Sequence, residues 1–589
     1  MSEIVNVALR LSQAAVESPD TIAIAEPQGR EASGAIRYRT VTFRELDKDS
    51  NVLAAGLVAL GVRSGMRMVL MVPQSIDFIT LVFALFKTGA VTVLVDPGMG
   101  RSNILKCLAE VQPEGFIAVP IVHALRVVLR KRFRQAKLNV TVGRRWFWGG
   151  PTLKQLRSSI RNPQSAISNP QSPIPPVANA QGSRSPSVIS NQQSAISPIK
   201  TTADDPAAII FTTGSTGPPK GVLYRHGNFD RQVTEIRDFY GIRPGEIDVS
   251  GFPLFALFNA GMGVTTVIPQ MNPTRPASVE PRNIIDAVNQ MQATQAFGSP
   301  ALWNVVGRHC EQTGATMPSL KRVLSAGAPV PPHVLSRMKA AIAPDGDVHT
   351  PYGATEALPV ASMSASEVLS ETAALSAKGA GTCVGRHFPG IDWQVIRITD
   401  EPLAGIAQVE RLPPGEIGEL MVRGRVVTRE YVTRLNSNAL HKVADGDTCW
   451  HRLGDVGYLD EQGRFWFCGR KSHRVQTAEG TLFTEPCEAI FNQHASIYRS
   501  ALVGVGKPGA QIPVVIAEPW PDRWPCPPEG GRQLLKELQQ LAQEHEHTRG
   551  IHRFFLMRSL PVDIRHNAKI FREKLAIWAE NELKRVNRS

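Results

Sequence analysis

The chain has no cysteine pair spaced to hold zinc and no cysteine pattern that would staple a small scaffold. Its seven cysteines (Cys107, Cys310, Cys383, Cys449, Cys468, Cys487 and Cys526) are scattered, odd in number and free of any C-x-x-C. A reducing cytoplasm is the expected home. The first twenty residues carry Glu3 and Asp20 and lack a basic start followed by an apolar run, so no secretory leader is expected. Long hydrophobic runs are also missing. The most apolar stretch, 68–95, is interrupted by Pro73, Gln74, Asp77, Lys87 and Gly89, which argues against a membrane span and for buried strands around a helix. No basic motif is interleaved with aromatics, so the net charge of +13 is not read as nucleic-acid binding. It suits anionic small molecules or an anionic membrane surface.

What is present is a soluble globular composition, 42% apolar and 20% charged over 589 residues, enough for several buried cores. After Val41, Leu46, Leu53, Leu57 and Leu60 recur at helical spacing, and Thr42 with Glu45 fits a capping box. MRMVLMVP then reads as a buried strand, SIDFITLVFALFKTGA as a helix and VTVLVDP as a second strand. This order predicts βαβ units and a parallel sheet. Residues from about 155 to 200 are rich in Ser, Pro, Gln and Asn, lack aromatics, and nearly repeat NPQSAIS as NQQSAIS. Such text buries too little apolar surface to offset its ordering entropy, so a disordered insertion is expected. From Glu416, period-two segments predict antiparallel strands, and helices are expected at 532–548 and 568–587.

The central motif follows the apolar strand AAII: FTTGSTGPPKG, 211–221. Its glycines allow close backbone approach to a ligand, and successive N–H groups make a nest for phosphate oxygens. Thr212, Thr213, Ser215 and Thr216 add hydroxyls, Gly214 and Gly217 supply freedom, and Lys220 adds a cation. The loop is not a Walker A motif, because Pro219 precedes the lysine and Gly221 follows it. Alone, it could equally be a glycine-rich turn with a solvated lysine.

Further stations follow in order: TPYGATE at 350–356, LGDVGYLDEQG at 453–463, GRKSHRVQ at 469–476 and RHNAKIFR at 565–572. Together with the loop they resemble the ANL superfamily of AMP-forming acyl-adenylating enzymes, across the whole chain except the insertion. The resemblance implies an α/β fold: a large N-terminal domain of parallel βαβ sheets plus a distorted β-barrel (1–470), and a small mobile α+β C-terminal lid (471–589). It implies ATP and Mg²⁺ as cofactors. Tyr352 and Gly353 would belong to the adenine station, Tyr352 offering a flat surface for stacking, and Gly327 and Ala328 are further cofactor-binding candidates. Thr355 would bond the α-phosphate, and Glu356 would hold Mg²⁺ as a hard oxygen ligand. Asp455 would accept from the ribose hydroxyls, and Arg470 would reach ribose or phosphates. Lys471 or Ser472 would be the hinge. Lys569 would bridge the substrate carboxylate and the α-phosphate, letting two anions meet.

Departures narrow the subtype. Ala256 stands in FPLFALF where many members have His, Gly480 sits late in the turn after the hinge, and Ala568 replaces the glycine before the terminal lysine. With SPALWNVV (299–306), SAGAPVPP (325–332) and LPVDIRHNAKIFR (560–572), these resemble the β-lactone synthetases of bacterial long-chain olefin biosynthesis. There a β-hydroxyl of the adenylated acid displaces AMP, an intramolecular attack with a large effective concentration. The expected substrate is a long-chain fatty or β-hydroxy fatty acid, and other enzymes of a lipid or olefin pathway are candidate partners. The alternatives are a fatty acyl-CoA ligase, the only one to need CoA, an adenylation enzyme loading a carrier protein, and a non-catalytic ligand-binding member. Phe255, Phe258, Met262, Phe297 and Trp303 are candidates for the acyl pocket, although ordinary core packing needs such residues equally. A basic amphipathic helix over 123–137 reads as a solvated face or as peripheral contact with the inner membrane face.

Overall fold

The computed structural model describes residues 3–161, 199–212, 218–524, 528–562 and 570–586. The capping box forms as the sequence implies. The Thr42 hydroxyl accepts from the Glu45 N–H, the Glu45 carboxylate accepts from the Thr42 N–H, and a helix runs Phe43–Ala59. The strand–helix–strand unit follows as Arg67–Met71, Ile76–Lys87 and Val91–Leu94, with the two strands parallel. Lys87 is fully buried on that helix because Asp47, Ser50 and Asn51 take its ammonium at 2.7–2.8 Å. A charge in this apolar run is therefore satisfied rather than exposed.

Two sheets make up most of the large part. One has six strands in the order Leu138–Thr141, Gly115–Ala118, Arg67–Met71, Val91–Leu94, Pro206–Phe211 and Gly221–Arg225, all parallel except the last pair. The other has seven, running from Asp347–His349 through Ile22–Arg30 to an antiparallel edge at Ile36–Thr42. The expected distorted barrel is an antiparallel six-stranded sheet that includes Ile391–Ile396, Gly418–Gly424, Thr448–Leu459 and Phe465–Arg470. The last section has a three-stranded sheet, Ile497–Val505, Ile512–Pro519 and Arg553–Leu556, flanked by helices Thr484–Phe491, Pro528–Gln543 and Arg572–Val586. Two apolar clusters there draw only on residues 475–583.

Two expectations need correction. The insertion begins later than 155, because Leu153–Arg161 is a helix. Leu153 and Leu156 are buried, and Arg157 pairs with Asp49 and Asp77 at 2.7 Å. The rest of that segment, 162–198, lies outside the described residues. The basic helix over 123–137 is instead a helix at Pro120–Val128 followed by turns. Arg126, Arg130 and Arg134 would stack at i, i+4 spacing on a continued helix, and like charges so placed oppose it.

Candidate active site

Antiparallel pairing sets the first part of the site. Asp455 on Thr448–Leu459 stands directly opposite Arg470 on Phe465–Arg470. Arg470 Nη1 donates to Asp455 Oδ1 at 2.6 Å and to the Leu453 carbonyl at 3.0 Å. The Tyr352 hydroxyl donates to Asp455 Oδ2 at 2.5 Å. Burial, then the Asp455 carboxylate, push the Tyr352 phenol well above its ordinary pKa, so it stays a donor. Each Asp455 oxygen keeps a second lone pair for an incoming hydroxyl.

The second part gathers around Glu356. Tyr431 donates to Glu356 Oε1 at 2.6 Å, and burial followed by the Glu356 charge raise the Tyr431 pKa. The backbone of Glu356 is pinned as well: its carbonyl accepts from the Thr428 N–H at 2.8 Å and the Thr428 hydroxyl at 3.0 Å. Lys220 lies over the Tyr431 ring, 4.7 Å from the centroid, with Nζ 3.1 Å from His441 Nε2. Burial chiefly, with the Lys220 charge second, lowers His441 to about 4. The imidazole is therefore neutral at pH 7. Its Nδ1, 3.2 Å from the Arg452 carbonyl, carries the proton, and Nε2 accepts from the ammonium. Burial also lowers the Lys220 pKa. Thr212 and Lys220 are clasped to each other by two 3.0 Å bonds, Thr212 N–H to the Lys220 carbonyl and Lys220 N–H to the Thr212 hydroxyl.

These groups line one cavity of about 1990 Å³. Thr212, Lys220, Gly327, Ala328, Tyr352, Gly353, Thr355, Glu356, Asp455, Arg470, Lys471 and Ser472 all border it. Gly327 has a positive φ of 102°, and a Cβ on Gly353 would meet the Ala357 carbonyl at 2.5 Å, so both positions suit glycine. The Thr355 carbonyl accepts from Tyr224 at 2.5 Å. Lys471 at the expected hinge donates to Glu419 at 3.0 Å and to the Thr399 carbonyl at 2.9 Å. Thr213, Gly214, Ser215, Thr216, Gly217 and Lys569 lie outside the described residues. Ile570 and Arg572, just beyond Lys569, line the cavity.

The acyl candidates divide. Phe258 and Phe297 line the same cavity, beside Leu254 and Leu257. Phe255, Met262 and Trp303 do not border it. Phe255 stacks behind Phe297 with centroids 4.3 Å apart, and Met262 is buried in the core. Trp303, 1% exposed, points its Nε1 at the Leu324 carbonyl 3.4 Å away. A side chain sandwiched between elements lies one layer too deep to touch a ligand. Tyr431, His441 and Lys442 were not among the sequence candidates. Lys442 donates to the Thr428 carbonyl, and burial lowers its pKa to about 8. No spaced motif marks these three residues. Tyr431 and His441 border the cavity, with Lys442 behind them against the Tyr431 ring, because the chain returns through 428–452.

Among the described residues, no three His, Cys, Asp or Glu side chains cluster to hold a metal. Glu356 borders the cavity as a carboxylate outside any such cluster, which fits an ion that keeps most of its shell as water and phosphate oxygens, as Mg²⁺ does.

A family model described as AMP-binding enzyme matches residues 11–432. Olefin beta-lactone synthetases of Stenotrophomonas maltophilia and Xanthomonas campestris are 44% and 42% identical to the chain. These matches cover 98% and 99% of this chain and 99% of each relative. The fold matches the structure of an amide bond synthetase from Marinactinospora thermotolerans with a TM-score of 0.73 at 19% identity, over 97% of this chain and 99% of that one. The chain belongs to the AMP-binding enzyme family, within the ANL superfamily of AMP-forming acyl-adenylating enzymes.

Proposed function

We propose that the protein uses ATP to adenylate a long-chain β-hydroxy fatty acid and then closes the acyl-adenylate to a β-lactone. The observation that carries this reading is the shared cavity: the nucleotide-facing set around Asp455, Lys220 and Glu356 and the apolar wall at Phe258 and Phe297 border one space. The ring-closing step is supported by the near-full-length likeness to olefin beta-lactone synthetases.

In the first step a carboxylate oxygen attacks the α-phosphorus, and the bond to pyrophosphate breaks. Asp455 and Arg470 fix the ribose end, while Thr355 and the glycine-rich loop hold the phosphates. Lys220 supplies positive charge in a partly desolvated site, where it counts for more than in water. Glu356, held by Tyr431, would bind Mg²⁺, which neutralises phosphate charge. Lys569 would separate the two reacting anions. Its chain neighbours Ile570 and Arg572 already border the cavity. In the second step the β-hydroxyl oxygen bonds the acyl carbon, the hydroxyl proton is lost, and AMP leaves with the electrons of the acyl–phosphate bond. No thiol acceptor enters. Residues 471–589 would act as a lid turning at Lys471 or Ser472, consistent with apolar clusters of their own.

The test compares a β-hydroxy fatty acid with its deoxy analogue, both without CoA. Both should support pyrophosphate exchange, but only the hydroxy acid should release AMP over many turnovers. Equal AMP release from both acids would contradict ring closure.

A further inference from the structure

The outer face of the helix Pro120–Val128 is apolar where solvent meets it. Ile121, Leu125 and Val128 recur at helical spacing and are 68%, 45% and 77% exposed. His123, on the opposite side, is buried with Nε2 3.0 Å from the Val140 carbonyl. The loop after the next strand adds Trp146 and Phe147, 52% and 72% exposed. Their rings pack on Trp148 at 5.4 and 5.2 Å, and Trp148 lies 5.6 Å from the His123 ring, so loop and helix form one unit. A single exposed apolar side chain needs no explanation, but five large ones within residues 121–147 do.

The surrounding charge says what covers them. From Gly115 to Arg161 the sequence has no Asp or Glu. Arg130, Lys131, Arg132, Arg134 and Lys137 fill the turns after the helix and are exposed, as are Arg144 and Arg145 in the loop. Protein interfaces favour arginine and aromatic rings but are depleted in charge at their centres, whereas here seven cations ring the apolar group with no carboxylate in the segment to pair with them. An anionic bilayer asks for this combination: aliphatic side chains reach the acyl boundary, aromatic rings sit at headgroup level, and cations meet lipid phosphates. The same helix also faces inward, because Val119 and Val122 line the large cavity.

We propose that residues 120–148 form an interfacial docking surface for an anionic lipid bilayer, and that docking sets the cavity wall at Val119 and Val122 toward the membrane that holds the acyl substrate. Only the delivery of substrate rests on the fatty-acid reading above. Docking is measured without ATP or acid, so the two ideas fail separately.

The experiment sediments the full-length protein with vesicles of phosphatidylcholine alone or mixed with phosphatidylglycerol, at low and high salt. Binding to the mixed vesicles, weakened by salt, is expected. It should fall at least about tenfold in Leu125→Asp/Val128→Asp and in Arg130→Gln/Arg132→Gln/Arg134→Gln, since each basic residue near an anionic surface contributes several-fold. Circular dichroism and thermal unfolding of both variants should match the parent and report that they fold. Absence of binding, equal binding to both vesicle types, or variants that bind like the parent would each overturn the proposal. Sedimentation velocity supplies one more arm: a dimer that Leu125→Asp/Val128→Asp dissolves, without vesicle binding by the parent, would assign the face to a second copy of the chain and also overturn it.

Discussion

The Glu356 carboxylate is held by a residue that lies outside every sequence motif. Tyr431 donates to Oε1 while its ring carries Lys220 on one side, 4.7 Å away, and Lys442 at 5.5 Å. Two ammonium groups and a carboxylate are thus tied to a single aromatic ring, and the nearby imidazole of His441 is kept neutral so that it adds no further charge. Tyr431→Phe keeps the ring and removes the bond to Glu356. Partners that orient metal-ligating groups are typically worth 10–100-fold in metal affinity or activity. The variant should therefore need roughly tenfold or more Mg²⁺ for half-maximal adenylation, at unchanged thermal stability. An unchanged Mg²⁺ dependence would remove Tyr431 from this role. Sequence reading reached Glu356, Asp455 and Arg470 because each sits in a short contiguous station. It missed Tyr431 and His441 because their roles arise from contacts 75 and 221 residues apart along the chain.

At the scale of elements, the strand pair Thr448–Leu459 and Phe465–Arg470 sets the distance from Asp455 to Arg470. Gly457 sits in that pair, two residues beyond Asp455, and a Cβ there would meet the Trp466 carbonyl at 2.0 Å and the Phe465 ring at 2.7 Å. Gly457→Ala should destabilise the fold by about 1–3 kcal/mol, the usual cost of overpacking, and raise KM for ATP by shifting the strand. Urea unfolding with ATP titration checks both effects.

Glu485 marks another element boundary. It lies on the helix Thr484–Phe491 and accepts from Thr382 at 3.2 Å across the junction with the antiparallel sheet. Desolvation first, then Glu488, raise its pKa from 4.5 to about 7. The folded state favours the protonated form, so this contribution is full below about 4.5 and is lost as pH rises through 7. Glu485→Gln mimics the protonated side chain. Parent and variant should be about equally stable at the acid end, with the variant more stable at pH 8 by chemical unfolding. A constant difference across that range would contradict the assignment. Element types were legible where one period ran unbroken, as in the capped helix Phe43–Ala59. The end of Pro120–Val128 was not, because apolar spacing continues past the point where charge repulsion stops the helix.

For the whole molecule, the body presents Asp455, Lys220 and Glu356, and the section after Arg470 brings Arg572 and Ile570 to the same cavity. The order of stations along the sequence led to the expectation of one shared site, and the described residues of those stations named above border the same cavity. The acyl wall was only half legible. Phe258 and Phe297 face the cavity, whereas Phe255, Met262 and Trp303 fill the layers behind, and a sequence of apolar letters does not distinguish wall from filling.

The most direct measurement is product analysis by mass spectrometry after incubating the protein with ATP, Mg²⁺ and a long-chain β-hydroxy acid, with and without CoA. The account predicts a β-lactone and AMP in equal amounts, unaffected by CoA. A thioester formed only when CoA is present, with no lactone in either sample, would contradict it.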